Sequence, residues 1–177
     1  MKYIIVLLFS LLTLESAFSY AKTPHINIAP GELCTVNDKD FDRLRYTEKI
    51  PYCRRNVKPN RKDKICALYG VKTRAERQKF YTVDHIIPLF AGGNNSNKNL
   101  WCQHKKIYTG RMERRLFDQL NRGDLRQVEV VVKILSHKYD PTGKDHVPFK
   151  KQSLQYEPLL LEEGEHFRDQ NYEQEFL

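Results

Sequence analysis

Asp84 and His85 stand side by side in Val83-Asp84-His85-Ile86-Ile87-Pro88-Leu89-Phe90-Ala91-Gly92-Gly93, and an asparagine-rich stretch, "NNSNKNLWCQH", follows directly. Imidazole is the side chain best poised to take a proton near neutral pH, and a carboxylate is a hard oxygen ligand for a divalent cation. Neighbours in an extended segment point to opposite sides, so Asp84 can hold a metal while His85 faces a water. Asn99 both donates and accepts, which suits a residue that pins the intervening loop onto the backbone beside His85. Hydrolysing a phosphodiester requires a base for water, a cation at the phosphate and leaving oxygen, and positive groups to hold the polyanion. The residue types for all three are present in this window and around it. The competing reading of Asp84-His85 is a buried acid–imidazole contact that merely holds a strand end.

The segment "YTVDHIIPLF" is rich in β-branched and aromatic residues and runs into the turn residues Gly92-Gly93-Asn94-Asn95, so a strand entering a loop is expected. "NLWCQ" reads as a second short strand. In "TGRMERRLFDQLNRG" Met112, Leu116 and Leu120 recur at helical spacing and Gly123 ends the run. A further helix, "DLRQVEVVVKILSHK", is expected to have Asp124 as its cap and Leu125, Val128, Val132 and Leu135 as its buried stripe. Residues 34 to 80 read as short helices and loops. Asn60 caps one helix, with Ile65, Leu68 and Tyr69 on one side and Gly70 at its end, and Thr73-x-x-Glu76 has the spacing of a capping box. "RYTEKIPYCRRN" mixes Arg45, Lys49, Arg54 and Arg55 with Tyr46 and Tyr52, a composition suited to phosphates and exposed bases or to an ordinary tied loop.

The chain has 177 residues, 40% of them hydrophobic, enough for one domain with its own core. Residues 1–21 are set apart from it: Lys2 precedes an apolar stretch from Tyr3 to Leu14 that is short for a membrane span, and Ser19-Tyr20-Ala21 places small residues before a cut. This is the pattern of a secretory signal, cleaved after Ala21 or alternatively after Ser19, and no later stretch has the character of a membrane span. Export exposes Cys34, Cys53, Cys66 and Cys102 to an oxidising compartment, which favours two disulfides in one of three pairings. Zinc is the rival, without the paired C-x-x-C spacing that structural zinc sites usually show. The net charge of +8 is unevenly spread. Residues 151–177 hold seven acids against Lys151 and Arg168, a net of −5, which leaves +13 on residues 22–150. A basic body of this kind suits nucleic acid, an acidic glycan or an anionic membrane face, or is simply a solvated surface.

Asp84-His85 followed by Ile86-Ile87-Pro88, the Gly92-Gly93 turn and the Asn99-Leu100 pair before a helix resemble the HNH nucleases, members of the ββα-metal fold. More narrowly, "GELC", "RYTEKIPYCRRNV" and "VDHIIPLFAGGNNSNKNLWCQHK" resemble a group of secreted bacterial HNH-type proteins, a likeness covering about residues 31 to 138. The resemblance implies an α+β fold, a two-stranded hairpin plus helix with flanking helices and loops, stapled by disulfides. It implies His85 as general base, Asp84 as metal ligand and Asn99 as the residue that orders the loop. The family usually places a second metal ligand, His or Asn, where this chain has Tyr108, and a phenol is a poor ligand for magnesium. His104 and Glu113 are therefore the two candidates, with His104 preferred as lying nearer the strand end where the site closes. Cys102 stands where this group usually has proline, which points to a staple particular to this chain.

The expectation is a signal peptide at 1–21, a basic nuclease domain at 22–150 and an acidic tail at 151–177. It is a monomeric, secreted or periplasmic endonuclease that uses a divalent metal, Mg2+ ahead of Mn2+, Zn2+ or Ni2+, and cuts DNA, with RNA as a further substrate. Arg54, Arg55, Lys105, Lys106, Arg111, Arg114 and Arg115 are the candidate phosphate contacts. Two readings from other classes compete: an inactive scaffold that binds nucleic acid, and a secreted effector that meets a protein through its acidic tail.

Overall fold

The structure is a computed structural model, and it describes residues 23–107 and 109–141. The segments expected to be a signal peptide (1–21) and an acidic tail (151–177), and Tyr108, therefore lie outside the described residues. Among the described residues the fold is mixed α+β, with two small antiparallel two-stranded sheets, four α-helices and two disulfides. The elements run β1 (Phe41–Arg45), β2 (Ile50–Cys53), α1 (Pro59–Ala67), α2 (Arg74–Phe80), β3 (Tyr81–His85), β4 (Leu100–His104), α3 (Gly110–Arg122) and α4 (Gln127–Tyr139). Among the described residues no helix is long and apolar enough to cross a membrane.

β3 pairs with β4 so that Asp84 opposes Trp101 and His85 opposes Leu100. Side chains alternate across a strand and directly opposed residues share a face, which gives this hairpin two different surfaces. Val83, Leu100 and Cys102 pack with Ile65, Cys66 and Val71 of the α1 region. Trp101, from the other face, joins Ile86, Ile87, Leu116 and Leu120 and the α4 residues Val130, Val131, Ile134 and Leu135. The hairpin is thus packed on both sides, by α1 on one and by α3 with α4 on the other. Cys66–Cys102 bolts α1 to β4, and Cys34–Cys53 bolts the lead-in to β2. Closing loops of 19 and 36 residues removes about 3 to 4 kcal/mol of chain entropy each from the unfolded state.

Several local expectations change. The "RYTEKIPYCRRN" region forms the β1–β2 hairpin rather than a loop. Its turn carries Tyr46 at φ 61° and Lys49 at φ 56°, a left-handed backbone built without glycine or asparagine, so turn chemistry gives no warning of it. Lys58 rather than Asn60 precedes α1, Pro59 takes the first helical turn, and the Asn60 amide oxygen accepts from Arg74 instead. Leu68 is 54% exposed, because the helix turns into its last loop before that side chain reaches the core. Thr73 does cap α2, accepting from the Glu76 amide at 3.1 Å. α4 starts at Gln127, since Arg126 and Glu129 close its first turn while the Asp124 carboxylate is taken by Arg122. Its buried set is Val128, Val130, Val131, Ile134, Leu135 and Lys138, with Val132 only half-buried. A lysine at the core-facing position of an otherwise apolar stripe is the anomaly that leads to the site.

Candidate active site

The fourteen-residue connection from Ile86 to Asn99 is organised by Asn99 itself, which is fully buried. Its amide oxygen accepts from the backbone N–H of Ile87 at 2.8 Å and of Glu32 at 3.3 Å. Its amide nitrogen donates to the carbonyls of Ile87 at 3.0 Å and Asn94 at 2.8 Å. Every polar atom of the side chain is used to fold the loop against the end of β3. Gly93 makes that approach possible: a Cβ there would fall 1.8 Å from the Ile87 oxygen and 2.7 Å from the Asn99 amide nitrogen. Gly92 supplies the left-handed turn, at φ 86°.

His85 ends β3, is 2% exposed, and faces Asn95 and Arg55. Asn95 was not among the expected site residues. Its amide nitrogen donates to Asp40 Oδ2 at 3.0 Å and to the Arg54 carbonyl at 2.7 Å, so its oxygen points the other way. That oxygen lies 3.1 Å from His85 Nε2 and also accepts from the Asn56 backbone N–H at 3.2 Å. Arg55 donates to the Val83 carbonyl at 2.8 Å and holds its second amino group 3.5 Å from His85 Nδ1. Burial pulls the imidazole pKa down to about 4; the hydrogen bond to Asn95 pushes it up and the Arg55 charge pushes it down again. The ring is neutral at pH 7.

Asp84 leaves β3 on the opposite face and meets Lys138 of α4, whose Nζ lies 3.1 Å from Asp84 Oδ2. The same nitrogen is 2.7 Å from Glu113 Oε1 on α3 and donates to the His85 carbonyl at 2.6 Å. The lysine side chain is wholly buried, whereas the two carboxylates keep 27% and 20% of their surface exposed. One ammonium of α4 thus gathers two acids and a carbonyl from β3 and α3, and pairing and hydrogen bonding of this kind make a buried lysine tolerable. Among the described residues the hydrogen bonds and ion pairs of these carboxylates use Asp84 Oδ2 and Glu113 Oε1, the latter also accepting from Thr109.

The structure therefore brings Glu113 to Asp84 and does not bring His104 there. His104 opposes Tyr81, at the far end of the hairpin and on the other face. Three residues of strand separate Tyr81 from Asp84, about 10 Å at 3.3 Å per residue. The His104 ring instead sits edge-on to Tyr81 and stacked over Phe80, and its Nδ1 accepts from the Lys106 N–H. His104, preferred from the sequence, thus lies apart from Asp84, whereas Glu113 shares Lys138 with it: the second strand ends away from Asp84, because antiparallel pairing runs it back toward the start of β3. Arg55 and the Arg54 backbone reach the His85 environment, while the Arg54 side chain pairs with Asp42 at 2.7 Å. Lys105 and Lys106 are exposed beside His104, at the other end. Arg111, Arg114 and Arg115 are exposed on α3, Arg114 paired with Asp118. None of these five contacts His85 or Asp84 directly among the described residues.

Asp38 lies with Cys34 and Cys53 in a grouping of metal-donor types, the ligand atoms within 4.8 Å of one another. Both sulfurs are spent in the Cys34–Cys53 disulfide, which has no thiolate charge to offer, and Asp38 Oδ2 accepts from Thr35 N at 2.6 Å and Thr35 Oγ1 at 3.1 Å. That cluster is a disulfide beside a capped turn. No protein-family model, curated protein or solved structure matches this chain.

Proposed function

We propose that the chain is a secreted or periplasmic, metal-dependent endonuclease of the HNH type, acting on DNA, and on RNA as well, with little sequence preference. The observation that carries this reading is the junction at the end of β3. Two acids from β3 and α3 converge on one cationic nitrogen there, and the next residue along presents a neutral imidazole in a fixed orientation. The +13 body supplies the attraction for a polyanion. The signal-like segment and two disulfides fit export.

The donor set suits a hard divalent cation. Two carboxylates and a backbone carbonyl already surround a positive charge, all three donors are oxygens, and one ammonium leaves the two acids with a residual negative charge. Asp84 and Glu113 would hold the ion through the oxygens that Lys138 does not engage. This oxygen-only shell favours Mg2+ or Mn2+ over Zn2+ or Ni2+. When bound, such an ion stabilises charge on the phosphate and on the leaving oxygen.

The chain's own residues do the rest. His85 Nδ1 takes the proton of the attacking water. An anionic phosphate beside the ring raises its pKa from about 4 toward neutrality, which strengthens the base as substrate arrives. Arg55, already 3.5 Å from Nδ1, is placed to transfer its guanidinium to that phosphate and uncover the ring. Asn99 and Gly93 keep the loop folded so that His85 does not wander.

One observation favours a second reading, a scaffold that binds nucleic acid without cutting it: His85 is 2% exposed with Arg55 across it. Incubating residues 22–177 with supercoiled plasmid and Mg2+ separates the two. Nicking that chelator and His85→Ala abolish supports the nuclease. Salt-sensitive binding with intact plasmid across Mg2+, Mn2+, Zn2+ and Ni2+ would overturn it.

A further inference from the structure

We infer that Asn95, held by Asp40, is a positioning residue that fixes the tautomer of His85 and thereby selects Nδ1 as its basic atom. This rests on the reading of His85 as the base. An asparagine amide can be placed either way round, and here its surroundings decide. The nitrogen end lies between two acceptors that have no proton to give, the Asp40 carboxylate at 3.0 Å and the Arg54 carbonyl at 2.7 Å. The oxygen end then faces the Asn56 backbone N–H, an obligatory donor, at 3.2 Å, and His85 Nε2 at 3.1 Å. Reversing the amide would set its oxygen against the Asp40 and Arg54 oxygens and its N–H against the Asn56 N–H, so these three contacts fix the orientation without reference to His85.

An oxygen that only accepts requires Nε2 to carry the proton. In a neutral ring Nδ1 is then the lone pair, and it is Nδ1 that Arg55 faces at 3.5 Å. Asp40 is itself secured, its other oxygen accepting from Asn56 Nδ2 at 2.7 Å. Asp40 and Arg54 flank the β1–β2 hairpin, and the neighbouring Cys34–Cys53 disulfide ties that hairpin to the lead-in. The N-terminal hairpin thereby reaches the base without contributing a group to the chemistry. Asn95 is 4% exposed, so water does not substitute readily for the amide.

The test uses the full mature chain labelled with 15N at histidine, and reads the ring nitrogens of His85 by long-range 1H–15N correlation at pH 7, with His85→Gln assigning the signals. Wild type should show a single Nε2–H form. Asn95→Ala should show averaging between the two tautomers and a kcat on plasmid about 10- to 100-fold lower at an unchanged KM, since misorienting a general base forfeits part of its contribution. Asn95→Leu, which keeps the shape and removes the acceptor, and Asp40→Asn serve as second variants should Asn95→Ala fold poorly. Asp40→Asn retains an acceptor and should keep the Nε2–H form with a smaller loss of kcat. An Nδ1–H form in wild type, or an unaltered single Nε2–H form in folded Asn95→Ala or Asn95→Leu, overturns the inference. The spectra answer for Asn95 even if wild type leaves plasmid intact, an outcome that defeats the proposed nuclease instead.

Discussion

Replacing Lys138 with methionine removes the charge that Asp84 and Glu113 share while keeping the length and much of the volume of the side chain. Removing one partner of a buried ion pair costs about 3 to 5 kcal/mol, because the remaining charge stays buried without compensation. Here the lysine is wholly buried but the acids keep 27% and 20% exposure, so water reaches them and the lower end, about 3 kcal/mol, applies. With a urea slope of about 2 kcal/mol/M for a domain of this size, the unfolding midpoint should fall by about 1.5 M with both disulfides intact. Neutralising the acids as well, in Lys138→Met with Asp84→Asn and Glu113→Gln, should recover most of the loss, since exchanging a complete ionic group for neutral ones is close to neutral in stability. Equilibrium urea unfolding followed by tryptophan fluorescence suits the measurement: Trp101 is the lone tryptophan and directly opposes Asp84. A midpoint shift under about 0.5 M in the single variant, or a triple variant no more stable than the single, would refute the idea that Lys138 is retained as the counter-charge of this pair.

Acid should unfold the protein through His85. The folded state keeps the ring neutral down to about pH 4 whereas the unfolded chain protonates near 6.5, so stability is full above 6.5 and declines as pH falls toward 4, by up to about 3 kcal/mol. His137, whose pKa burial also lowers, acts in the same direction, and urea midpoints from pH 7 to 4 should flatten in His85→Gln. Gly93→Ala should destabilise by about 2 kcal/mol or more and lower activity, because the added carbon collides with the Ile87 carbonyl and displaces the Asn99 amide; a midpoint matching wild type contradicts that packing. Glu113→Gln should weaken Mn2+ binding, read by electron paramagnetic resonance, about 10-fold or more, while His104→Gln should leave it unchanged; the opposite pattern restores His104 to the metal shell.

Periodicity and turn chemistry were enough to locate β3, β4 and α3, since an alternating β-branched run, a Gly-Gly turn and apolar residues at Met112, Leu116 and Leu120 are local signals. Asn99 was readable as an organiser of the loop, because an amide can donate and accept at once and the resemblance implies that role. Local logic could not choose among three cysteine pairings, which depend on α1 lying against β4 and on β2 returning to the lead-in. Nor could it see the β1–β2 turn, whose left-handed residues are a tyrosine and a lysine.

The positions of His104 and Glu113 were set by antiparallel register, which sends His104 to the other end and face of the hairpin from Asp84, and by the docking of α3, which brings Glu113 to the lysine that Asp84 also meets. Lys138 and Asn95 were invisible for a related reason. A lysine near a helix end and one asparagine among several look like surface residues until α4 and the N-terminal hairpin pack around them. What the sequence determines by itself is the set of groups able to move a proton or hold a cation, because those are properties of residue types. Which of them meet is set by contacts between segments far apart along the chain, and these exist only once the hairpin is covered on both faces.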